Sequence, residues 1–149
     1  MGQLRRDLKR RGWLGCALAA LLAIYGHTCG GLPTSASRAI PTGAWGGTSV
    51  ALNVTQDGAT LQFDCAHGSI GGSPATLDAS GRFEVAGTFV RERGGPVRID
   101  ETPDSHPALY SGTTDGRTMT LTVTLTDSQQ PVGTFELGFG KTPRLIRCM

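Results

Sequence analysis

From Thr118 to Thr126 the chain reads Thr-Met-Thr-Leu-Thr-Val-Thr-Leu-Thr, an unbroken alternation of hydroxylated and apolar side chains. A period of two places Met119, Leu121, Val123 and Leu125 on one face of an extended strand and the threonines on the other. No helical period fits it, and β-branched threonine suits a pleated surface that is wet on one side. Weaker versions recur at Val50, Leu52 and Val54, at Leu61, Phe63 and Cys65, at Phe83, Val85 and Phe89, and at Phe135, Leu137 and Phe139.

Asp57-Gly58, Asp78-Ala79-Ser80-Gly81, Asp115-Gly116 and Asp127-Ser128 separate these runs, and Gly and Asp tolerate the backbone angles of tight turns. With further short strands at Ala75 to Leu77, Ala108 to Gly112 and Arg144 to Cys148, about eight strands are expected. An all-β fold follows: a small antiparallel meander closed into a barrel, which hides its strand edges, or else a two-sheet sandwich. The long segment from Arg93 to Pro107, rich in Gly, Pro and acidic residues, is expected to be a loop over one barrel end.

The N-terminus has a different composition. Arg5, Arg6, Lys9, Arg10 and Arg11 precede an apolar run from Trp13 to Tyr25, the basic and hydrophobic regions of a bacterial-type secretory signal. The run is shorter than the roughly 20 apolar residues of a spanning helix. Residues 1–28 are therefore expected to be a signal peptide, 29–41 a flexible linker or pro-segment, and 42–149 the β-barrel-like domain. Cys29 is the lipidation candidate, while cleavage after Ala36 or Ala39 fits the small-residue rule of ordinary signal processing. The protein is therefore expected outside the cytoplasm, in the periplasm, outer envelope or extracellular space. Any membrane contact would run through a lipid anchor or an uncleaved signal.

Without the leader the charge balance reverses, since from Ile40 onward the acidic residues outnumber the basic ones. A nucleic-acid partner has no electrostatic support in such a domain. The roughly 105 remaining residues suffice to bury about two thirds of the unfolded surface.

Two cysteines remain, Cys65 and Cys148, and an even count in an exported chain favours a disulfide. In an eight-strand meander the second and eighth strands both flank the first, which sets the two cysteines about two strand spacings apart, near 10 Å. That exceeds the usual reach of about 7 Å. The bond therefore requires the first strand to be absent or depressed where the chain crosses, and Gly46-Gly47 offers no side chains to obstruct it.

Asp64-Cys65-Ala66-His67 gathers three types of metal ligand, but an oxidised Cys65 is no ligand and His106 is far along the chain, so no metal and no cofactor are expected. His67-Gly68-Ser69-Ile70-Gly71 superficially matches a nucleophile elbow, which needs a strand-to-helix turn that nothing here supplies. Arg91-Glu92-Arg93-Gly94-Gly95-Pro96 is the most site-like stretch, because charges leave a strand into a glycine-proline turn and arginine forks onto carboxylates. Arg91, Arg93 and His106 are the candidate ligand-binding residues. No catalytic residues are assigned.

Trp45-Gly46-Gly47, Phe63-Asp64-Cys65-Ala66-His67-Gly68, Gly81-Arg82-Phe83, Gly87 to Pro96 and the terminal Cys148 together resemble a family of small uncharacterised bacterial exported proteins and lipoproteins. The resemblance implies an exported β-rich domain with paired cysteines and brings no activity with it. The chain departs from the family at Ser49, where relatives often carry histidine. The expectation is a binding module rather than an enzyme, receiving a small ligand or an envelope protein at the barrel end that carries residues 91–107. A secreted proteinase-inhibitor-like role and a hydrolase are the alternatives. Small barrels can hold one small ligand, provided the phenylalanines do not fill the interior.

Overall fold

The computed structural model describes residues 38–95, 100–146 and 148. The expected signal peptide, Cys29, most of the linker and part of the 93–107 segment lie outside these residues. Among the described residues ten strands are formed: β1 (Arg38–Ala39), β2 (Gly43–Gly47), β3 (Val50–Val54), β4 (Gly58–Phe63), β5 (Ala66–Gly71), β6 (Thr76–Leu77), β7 (Arg82–Arg91), β8 (Asp104–Thr114), β9 (Thr118–Leu125) and β10 (Pro131–Phe139). Eight of them close an antiparallel barrel in the order β10-β2-β3-β4-β5-β7-β8-β9. β1 and β6 form a separate two-stranded flap.

The expected barrel is thus the fold, but two of its strands are not those expected. β2 and β5 are ladder strands despite their glycines, while Thr76–Leu77 belongs to the flap and Arg144 makes only an isolated parallel bridge to Thr48. β5 carries Gly68 for a packing reason. A Cβ there would lie 2.2 Å from the Tyr110 hydroxyl, which reaches inside the wall from β8 and donates to the Thr88 carbonyl at 2.7 Å. Tyr110 is fully buried, which raises the pKa of its phenol.

Even-numbered side chains of β8 and odd-numbered side chains of β7 and β9 fill the barrel, with Phe83, Phe89, Tyr110, Leu121, Val123 and Leu125 all buried. Phe63 packs on Phe89 and Phe135 with ring centroids 5.4 and 5.2 Å apart. Phe139, expected in the core, is instead 46 % exposed, one ring edge against Trp45. Leu77 of the flap and Ile40, just after β1, are buried and close the lower end. What remains inside is an apolar cavity of about 30 Å³ between Leu52, Leu61, Phe83, Met119 and Leu121, roughly one water's share of liquid volume.

Strand directions put the turns Thr48–Ser49, Asp64–Cys65 and Thr126–Gln130 and the loop 92–103 at the upper end. Cys65 and Cys148 are bonded there, with Cα atoms 5.3 Å apart. β2 stops at Gly47, below the level of Cys65, and the chain after β10 crosses the outside of it. A Cβ on Gly46 would stand 2.1 Å from the Lys141 carbonyl oxygen and 2.8 Å from Pro143 N. The crossing is pinned by the Arg144 N–H on the Gly47 carbonyl (2.9 Å), the Ser49 N–H on the Arg144 carbonyl (2.8 Å) and the Ile146 N–H on Asp64 Oδ1 (2.7 Å). Hydrogen bonds from the Ser49 side chain and from Ile146 hold the Asp64 carboxyl below its usual pKa.

Candidate functional site

At the upper rim the core-facing parity of β7 and β8 passes from apolar to polar side chains. Along β8 that parity runs Tyr110, Ala108, His106, Asp104, with the first two buried and the last two half-buried. His106 thus lies on a strand beside Phe89 in register, and not in the loop where sequence reasoning put it. The connection between β7 and β8 runs from 92 to 103, shorter than the expected loop, because pairing with β7 extends β8 back to Asp104.

His106 is held between two carboxylates: Nδ1 is 2.6 Å from Asp127 Oδ2 and Nε2 is 3.0 Å from Asp104 Oδ1. A neutral imidazole donates only once, so this arrangement suits the imidazolium. Asp127, followed by Asp104, raises the His106 pKa against the opposing effect of burial, and His106 in turn lowers that of Asp127. Arg91, one step beyond Phe89 on the same parity of β7, donates through Nη2 to Gln130 Oε1 at 3.1 Å. His106 and Arg91 therefore both fasten the β9–β10 turn.

Arg93 stands in the loop, 3.9 Å from Glu101, with both side chains largely exposed. At the loop's root the Glu92 N–H donates to the Cys65 carbonyl (2.9 Å) and its carboxylate pairs with His67 Nδ1 (2.7 Å). The structure thus brings Arg91 and His106 to one rim with Arg93 above them. Sequence reasoning missed their partners Asp104, Asp127 and Gln130. The Asp127-Ser128 turn signal marked where one of these lies, but not what faces it.

The remaining candidates are plain wall residues. Ser69 sits mid-strand with its Oγ 2.8 Å from Thr88 Oγ1, so no elbow is formed. Among the described residues no three His, Cys, Asp or Glu side chains converge as metal ligands would. An open groove of about 790 Å³ runs on the outer wall between the C-terminal tail and the β9–β10 hairpin, bordered by Thr120, Thr134, Glu136, Lys141 and Arg144.

The rim charges have a pH signature. His106 has a raised folded-state pKa, so its contribution to stability is complete below the ordinary histidine value and is lost as pH rises through the raised one. Asp127 has a lowered pKa, so its contribution is present above the ordinary carboxylate value and is lost as pH falls through the lowered one. The latch is expected to hold best between these limits. Titration of the His106 ring protons by NMR should give a midpoint above the ordinary histidine value. In Asp127→Asn that midpoint should fall, and an unchanged midpoint would show that the pair does not set it.

Comparison of the chain with protein-family models, curated proteins and solved structures found no match.

Proposed function

We propose that this domain is an exported binding module that grips an acidic segment of a partner protein at its upper rim, with Arg91 and Arg93 as the contacting cations. The filled interior carries this reading: a cavity of about 30 Å³ leaves recognition to the surface, since ligand pockets are roughly ten times larger. Supporting it, the longest connection among the barrel strands, the loop 92–103, rises from that rim, and long loops on a rigid scaffold are where binding residues concentrate. The exposed disulfide, the secretory leader read from the sequence and the motif resemblance all fit an oxidising compartment.

The test is a photo-crosslinking amino acid at Gly94, compared with one at Thr60 on the outer wall of β4, in cells that export the protein. Crosslinks to a partner are expected from Gly94 and not from Thr60. They should disappear in Arg91→Ala/Arg93→Ala, whose stability should stay within about 0.5 kcal/mol of the parent because both arginines make only exposed contacts. Equal crosslinking from both positions, or crosslinks that survive the double substitution, would refute the rim assignment.

A further inference from the structure

The ring of strands is not equally strong all the way round. β7 and β8 share ten residue pairs, whereas the ladder that closes the barrel between β10 and β2 has three: Leu137 with Gly47, Gly138 with Gly46 and Phe139 with Trp45. Over this short seam lies the C-terminal tail, tied down at its far end by Cys148 to the β4–β5 turn. The tail buries little of its own, since Leu145 and Ile146 are 37 % and 75 % exposed. From Lys141 to Cys148 its described hydrogen-bond anchors are backbone bonds to Gly138, Gly47 and Ser49 and one bond to the Asp64 carboxylate. Both cysteines are exposed.

We propose that the Cys65–Cys148 bond is a redox-controlled clasp: a protein dithiol of the cell envelope reduces it, frees the tail and loosens the β2–β10 seam while the rest of the barrel stays folded. Exposure decides between a clasp and a buried staple, because an accessible disulfide is open to in-line attack by a thiolate. The dithiol's thiolate attacks one sulfur of the pair, forming a mixed disulfide and expelling the other cysteine as a thiolate that takes up a proton. The second thiol of the reductant then displaces the first cysteine. Two electrons and two protons pass to Cys65 and Cys148, and the reductant leaves as a disulfide.

Once the bond is broken, what keeps the tail on Gly46 among the described residues is a few hydrogen bonds, of which the Ile146–Asp64 bond is exposed, and each such bond contributes little net stability because water can replace it. The seam below it then depends on three residue pairs, the Gly140 N–H on the Ala44 carbonyl (2.8 Å) and the Trp45–Phe139 ring contact. β7, β8 and β9 lie across the barrel from the seam and are joined by ladders of ten and seven pairs. Opening is therefore local to the two terminal barrel strands, in the manner of a low-stability cooperative unit.

The experiment treats the folded, oxidised domain with dithiothreitol at neutral pH without denaturant. Thiol alkylation and hydrogen exchange are then followed by mass spectrometry. Both cysteines should become alkylated, and exchange should accelerate by at least about tenfold in residues 43–49 and 135–142 while residues 104–125 keep their protection. Reoxidation should restore the original pattern. A chain ending at Thr142, which lacks the tail, should show the same pattern without reductant. A bond that resists dithiothreitol until the domain unfolds would overturn the proposal. So would a seam that exchanges no faster after reduction, or acceleration spread evenly over all strands.

Discussion

Replacing Cys65 and Cys148 together by serine is expected to lower the unfolding free energy by up to about 4.5 kcal/mol and to leave the β-type circular dichroism spectrum in place. The bond joins residues separated by 83 positions and so closes most of the domain into one loop. In the chain-entropy account such a loop restricts the unfolded ensemble, and the figure is a ceiling because real unfolded chains are already compact. Small domains hold only about 5–15 kcal/mol in total, so the loss is a large share of the whole. The midpoint of urea unfolding, compared at equal slope, measures it. A spectrum that collapses to random coil would mean that the strand ladders do not carry the fold by themselves.

The second large effect is expected at Trp45. Its side chain is 1 % exposed, donates through Nε1 to the Pro41 carbonyl at 3.2 Å, and meets the ring of Phe139 edge to face at 5.1 Å. Trp45→Ala should therefore destabilise by about 3–5 kcal/mol, combining lost apolar burial, a cavity and a carbonyl without its donor. Trp45→Phe retains most of the area and loses the hydrogen bond, so it should cost about 1–2 kcal/mol. Equal losses in the two variants would show that the indole N–H, and not its bulk, holds the lower end together.

Periodicity served well where a strand has one wet and one dry face. β9 reads directly from its threonines, and Leu121, Val123 and Leu125 are buried as their parity requires. It failed where a neighbour's bulk demanded glycine. His67-Gly68-Ser69-Ile70-Gly71 looks like a turn, yet Gly68 is the space that Tyr110 occupies, a contact between residues 42 positions apart that no local pattern encodes. Gly46 and Gly47 disguise β2 in the same way, although their role as a crossing point was legible once the cysteines were taken as a pair. Arg144 to Cys148 has apolar residues enough for a strand, but the disulfide draws the tail across the outside of β2, and among its described residues Arg144 alone makes a bridge.

At the rim the arginines stood out by their charge and by the glycines after them. The Gly, Pro and acidic composition of Arg93 to Pro107 points to a loop that includes His106. Pro107 sits in β8 opposite Thr88, and its carbonyl accepts from the Thr126 N–H at the end of β9, so the strand continues through it. The carboxylates that flank His106 come from its own strand two residues back and from a turn 21 positions on, which only the barrel's registration brings together.

The unequal ladders also set an order of events as the chain folds. Every barrel pairing except one joins strands that follow each other along the chain, with nothing longer than the β6 flap or the 92–103 connection between them, so each closes over far less chain than the exception. The β7–β8 hairpin, with ten pairs, is the natural place for ordered structure to begin. The exception joins Gly47 to Leu137, roughly ninety residues later, a contact of the slow, non-local kind. In a chain that forms from its N-terminus, Cys65 has no bonding partner until Cys148 arrives, and ring closure waits on β10. The final strand and tail are thus what convert an open, edge-exposing sheet into a sealed one, and a product truncated before residue 131 would present β2 and β9 as two bare edges to its neighbours.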